Sequence, residues 1–119
     1  MSRSPKYTTD MPARMTDKAR AAVQGLIARY AHIEVLTPPR RREDLPFLIS
    51  AAYVPAGGVR KAFGGFVSIP PGVNPQCAWL LFIDCSPFAE WAHKCLYYFV
   101  DDGGNVSEAH EDTYPPSQK

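Results

Sequence analysis

Cys77-Ala-Trp-Leu-Leu-Phe-Ile83 and Cys95-Leu-Tyr-Tyr-Phe-Val100 are the two stretches whose reading decides the fold. The link Ser86-Pro-Phe-Ala-Glu-Trp-Ala-His-Lys94 joins them, and Asp101-Asp-Gly-Gly-Asn105 closes the second. Short apolar runs, rich in aromatics and bounded by turn signals, read as buried sheet strands. Ser86 followed by Pro87 matches a helix N-cap with Pro at the first helical position, so a single helical turn through Trp91 is expected. The Asp-Asp-Gly-Gly-Asn turn supplies the positive-φ residues of a hairpin. The chain is then expected to return from Asn105 to His110 as a polar, acidic edge strand, which suits an edge that must not aggregate.

Alternation along these runs raises a question of coverage. Cys95, Tyr97 and Phe99 point one way, and Leu96, Tyr98 and Val100 the other. Trp79, Leu81 and Ile83 likewise oppose Leu80 and Phe82. Both faces of the sheet are apolar. One helix can cover one face; the second must be covered by loops, by a second copy or by a partner.

Upstream, Thr16 reads as an N-cap with Asp17 in the first turn. Ala19, Ala22, Val23, Leu26, Ile27 and Tyr30 follow at helical spacing, with Arg20, Gln24 and Arg29 off the stripe. This predicts an amphipathic helix of about four turns. Gly25 lies inside it and costs up to about 1 kcal/mol relative to Ala. Ile33 to Leu36 reads as a short strand. Thr37-Pro-Pro-Arg-Arg-Arg-Glu-Asp44 reads as a loop, because paired prolines favour an extended, exposed chain. Leu45 to Val54 reads as a strand with Pro46 at its start. Val59 to Ile69 reads as a weaker strand interrupted by Gly64-Gly65, after the Ala56-Gly-Gly58 turn. Pro70 to Pro75 is a loop. The fold class is therefore α+β, with one N-terminal amphipathic helix packed on a four- to five-stranded, mostly antiparallel sheet. The domain is expected to span 16–112, with a flexible N-terminal arm over 1–15 and a flexible tail over 113–119.

Composition sets bounds on function. A chain of 119 residues, 45% hydrophobic and 21% charged, suits one globular domain. A net charge of +1 argues against nucleic acid as a partner. Residues 1–44 carry nine Lys/Arg against five Asp/Glu, and residues 45–119 carry four against seven, an asymmetry able to steer a partner. Three cysteines do not suit a disulfide framework and favour a reducing compartment. The segment Met1 to Asp10 has no apolar core of the signal-peptide kind, and no run approaches a membrane span. A cytoplasmic protein that makes no membrane contact is expected.

Candidate chemistry centres on Cys95, His93 and Asp84. A hairpin of the two strong runs brings Cys85 near His93 and Cys95. Thiolate and imidazole ligate zinc, but no Cys-x-x-Cys or other standard spacing is present, so no metal or cofactor is expected. The same atoms suit a Cys–His nucleophile pair, against which stands the habit of buried cysteines to act as small hydrophobes. Asp84 sits beside the apolar core, where a carboxyl can serve as acid or base, or cap the following turn. Gly57-Gly-Val-Arg-Lys-Ala-Phe-Gly-Gly65 lacks the order of a P-loop or a dinucleotide motif and reads as a hairpin with solvated charges. Arg40, Arg41 and Arg42 are suited to phosphate or an acidic partner but have no aromatic interleaving.

The run Tyr97 to Val106 resembles the strand–turn–strand of small helix-on-sheet modules in peptidase propeptides and inhibitors. The order of helix before curled sheet is similar to the cystatin-like shape. The Gln-x-Val-x-Gly loop of cystatins is absent; Val23-Gln-Gly25 falls inside the expected helix. The resemblance implies a binding module. Two functional expectations stand. One is a small protein-binding module (inhibitor, immunity-type protein or accessory subunit, with a protein partner or as a homodimer). It would act through an exposed aromatic sheet face, with contacts at Trp91, Tyr97, Tyr98 and Tyr114 and an acidic rim at Asp101 and Asp102. The other is a small enzyme or ligand-binding domain using Cys95, His93 and Asp84. A scaffold or virion part is a third reading.

Overall fold

In the computed structural model, which describes residues 6–30, 47–84 and 94–117, the two strong apolar runs are the central strands. β1 is Tyr7–Thr8, α1 Asp17–Arg29, β2 Phe47–Ser50, β3 Val59–Arg60, β4 Phe66–Val67, β5 Ala78–Asp84, β6 Cys95–Asp101 and β7 His110–Asp112. Five strands form an antiparallel sheet in the order β1-β2-β5-β6-β7, and β3 and β4 form a separate hairpin. β5 and β6 pair over seven residues each, from Ala78 with Asp101 to Asp84 with Cys95. No described helix is long and apolar enough to cross a membrane.

The two apolar faces of β5 and β6 are both covered by the chain itself. On one face Trp79, Leu81, Ile83, Leu96, Tyr98 and Val100 pack with Ala19, Val23 and Leu26 of α1 and with Met15. On the other, Leu80, Phe82, Cys95, Tyr97 and Phe99 pack under Val54, Val59, Val67 and Val73. The segment between β2 and β5, with its small hairpin, is thus a third layer. This settles the question of coverage in favour of loops. It also removes the exposed aromatic sheet face: Tyr97 and Tyr98 are buried on opposite sides of one strand.

Helix α1 starts where its capping residue predicts. The Thr16 hydroxyl accepts from the Ala19 N–H at 3.2 Å and donates to the Asp102 carbonyl at 2.8 Å, tying the helix start to the turn after β6. Gly104, at φ 83°, lies in that turn; a Cβ there would stand 3.2 Å from the Lys18 carbonyl oxygen.

Three parts of the chain depart from expectation. Residues 6–15 are no loose arm among those described: Tyr7–Thr8 pair with β2, and Met15 is in the core. The tail is tied as well, since Pro116 is buried and bridges Lys61, while Ala62 and Ser117 donate their N–H groups to the carbonyls of Pro115 and Arg60 at 2.8 Å. Val59 to Ile69 is a hairpin instead of one interrupted strand. Phe63, Gly64 and Gly65 all have positive φ, which folds the chain back on itself. The short strand at Ile33 to Leu36 and the helical turn through Trp91 lie outside the described residues.

The return from β6 is interrupted too. Val100 bridges Val106, whereas Tyr97 pairs with His110, so residues 107–109 face only Tyr98 and Phe99. This is a β-bulge. The Ser107 hydroxyl accepts from the Phe99 N–H at 2.9 Å, replacing the lost backbone acceptor. At the other flank, Ser50 at the end of β2 accepts from the Leu80 N–H at 2.9 Å. Leu80 and Phe99 are cross-strand partners. One rung of the central hairpin is therefore completed on both sides by a buried serine.

Candidate functional site

The edge formed by β7, residues 113–117 and the β3–β4 hairpin gathers the most chemistry. Asp112 is its hub. Its carboxylate takes the Lys61 ammonium at 3.0 Å and His110 Nε2 at 2.9 Å, and accepts the backbone N–H groups of Thr113 and Tyr114. Burial alone would raise this carboxyl, but the His110, Lys61 and backbone hydrogen bonds outweigh it and bring the pKa down to about 2. The pair of ions latches the hairpin to the sheet. It also presents the carboxylate–imidazole part of a triad, but Asp112 Oδ2 is shared by Lys61 and His110, which serves the latch.

Above the latch stands the hairpin tip. Phe63 is 91% exposed and Phe66 52%, and Phe63 leans on the half-exposed Tyr114 with ring centroids 5.6 Å apart. Phe63 holds φ at 64°, a left-handed conformation that bulky residues seldom adopt. The tip is braced beneath by the Lys61 N–H donating to the Gly65 carbonyl and by the Ala62–Pro115 and Ser117–Arg60 hydrogen bonds. The result is an aromatic knob pointing into solvent from a braced hairpin.

The residues singled out from sequence are dispersed. Cys95 and Asp84 are brought together as cross-strand partners at the end of the central hairpin, and His93 lies outside the described residues, as do Trp91 and Cys85. Cys95 is buried, and its thiol donates to the carbonyls of Asp112 at 3.3 Å and Tyr114 at 3.4 Å, a role that needs the thiol proton. The Tyr97 hydroxyl donates to the Tyr114 carbonyl at 2.7 Å, and burial above all, with the Asp112 carboxylate nearby, pushes its pKa up. Tyr97 thus supports the segment that carries Tyr114 from below. Tyr114 itself belongs to the knob.

Asp101 and Asp102 are at the opposite end of β6, roughly 20 Å along a strand of this length. The Asp101 carboxylate is buried and organises its turn, accepting from the N–H groups of Gly103, Asn105 and Asn74 and from the Asn105 amide. Burial acts to raise its pKa, and those donors outweigh burial and lower it. Asp102 accepts from Trp79 Nε1 at 3.0 Å and from the hydroxyl of Tyr53, whose ring packs at a tilt against Trp79. Both acids stabilise the fold, and neither rims the aromatic knob. No group of three or more metal-ligating side chains occurs among the described residues. Sequence reasoning missed Phe63; the signal was a bulky aromatic set directly before a glycine pair in a turn.

No family model, no curated protein and no solved structure matches this chain.

Proposed function

We propose that this protein is a small protein-binding module, of the inhibitor, immunity-type or accessory-subunit kind, which grips its partner with the tip of the β3–β4 hairpin. The observation that carries the reading is Phe63: an aromatic side chain 91% exposed, held at positive φ, on a hairpin braced by an ion pair and three backbone hydrogen bonds. Backbone strain of this sort costs on the order of 1–3 kcal/mol and gathers at functional positions. Rigid aromatic anchors are favoured at interface centres, because little conformational entropy is lost when they are buried. Phe66 and Tyr114 extend the knob, and Arg60 is exposed on the same hairpin. The complementary partner is a folded protein with an apolar pocket and an acidic rim.

Photo-crosslinking tests this. Phe63 is replaced by p-benzoylphenylalanine in the native host, with the exposed Gln76 as control site. A discrete polypeptide adduct from position 63 and none from position 76 is expected; an adduct of twice the chain's mass makes the partner a second copy. Phe63→Gly should weaken the purified complex by about tenfold or more, as for a central anchor. The absence of an adduct, or equal adducts from both sites, overturns the reading.

A further inference from the structure

A second concave surface lies on the helix side of the sheet, away from the hairpin. Ala22, Gly25 and Leu26 of α1 form one wall of an open groove, Val106 to Ala109 the other, and the Tyr98 ring lies between; the volume is about 420 Å³. That is within the range of ligand sites. Gly25 is the odd residue. It costs stability inside a helix, yet a Cβ built there meets nothing within 4 Å, so the packing of this chain does not require glycine. What its missing side chain does is keep the groove deep. Val106 opposite is 40% exposed, an apolar side chain facing the same space.

One end of the groove is polar. Arg29, the last residue of α1, lies beside the Tyr98 hydroxyl, which is bonded to the Tyr30 hydroxyl at 2.5 Å. A guanidinium has five donors in a planar fork suited to a carboxylate. Glu108 stands on the facing wall. It disfavours a bare anion such as a fatty acid, and it accepts hydrogen bonds from N–H groups. A ligand matched to all of these features carries a carboxylate next to a large apolar side chain, with N–H donors beyond.

We infer that this groove captures the C-terminal residue of a partner polypeptide ending in a large apolar side chain, with the terminal carboxylate on Arg29, the side chain over Gly25 and Val106, and the preceding N–H groups toward Glu108. Terminal-carboxylate capture is an established mode of peptide recognition. The site is separate from the hairpin knob, so either reading can fail alone.

The test titrates ¹⁵N-labelled protein with acetyl-Gly-Ser-Gly-Phe carrying a free carboxylate, and with the same peptide amidated. Expected are shift changes centred on Gly25, Arg29 and residues 106–109, with the amide weaker by about tenfold or more, the worth of a charge-assisted hydrogen bond. Gly25→Leu should fill the groove and abolish binding while the spectrum stays dispersed. Arg29→Gln, at an exposed position, should erase the preference for acid over amide. Equal binding of acid and amide overturns the carboxylate assignment. Shifts elsewhere, no shifts at all, or binding that survives Gly25→Leu overturns the site.

Discussion

At the scale of single residues, partners decide what each group does, and partners are what a sequence hides. Asp112 reads as one more tail acid, yet it holds Lys61, His110 and two backbone N–H groups. Its carboxyl titrates at about 2 in the folded chain, below the ordinary value of an unfolded one. Its contribution is therefore complete above about pH 4 and is lost as pH falls through 2. Asp112→Asn is expected to cost about 1 kcal/mol at neutral pH, with the gap between variant and parent closing toward pH 2 in urea titrations. A gap independent of pH would remove the latch from the account. Cys95 shows the same lesson in reverse. Its strand position is legible in the sequence, but its register opposite Asp84 and its bonds to the Asp112 and Tyr114 carbonyls depend on pairings that the sequence does not specify.

At the scale of elements, self-contained local signals specify the structure. Thr16, Asp17 and the stripe from Ala19 to Tyr30 define α1 to within a residue at either end. The alternation in β5 and β6 assigns each side chain to its face, because pleat periodicity depends on nothing distant. Pairing between elements was less legible. The bulge at 107–109 and the stop of β2 at Ser50 show no special pattern, since a serine hydroxyl standing in for a carbonyl is visible only once the strands are paired. Ser50→Ala and Ser107→Ala should each strand a buried N–H and cost about 1–3 kcal/mol, measured by chemical denaturation; neutral outcomes would mean that the rung is completed in another way. Gly25→Ala should do the opposite. With nothing within 4 Å of the new methyl, helix propensity alone predicts a gain of about 0.5–1 kcal/mol in the same assay. A loss would place hidden packing at that position.

At the scale of the whole molecule, this is a sheet with a helix on one side and a loop-rich layer on the other. The α+β class followed from pattern. The third layer did not, because its valines at positions 54, 59, 67 and 73 are spread among turns and form no periodic run. Once that layer covers the second face, the side chains of both central strands are buried, apart from Asp84 at the end of β5. The exposed aromatic surface moves to the hairpin tip, where Phe63 is stabilised by little within the chain and strained by its backbone. An exposed, strained side chain that contributes little to folding is what a binding anchor requires, and the thermal melt of Phe63→Gly measures that contribution. Glycine relieves the positive φ and removes only an exposed side chain and its contact with Tyr114. The melting temperature should stay level or rise by up to about 5 °C, since about 1 kcal/mol moves a domain of this size by several degrees. A fall of that size or more would make Phe63 a packing residue and contradict its role as a binding anchor.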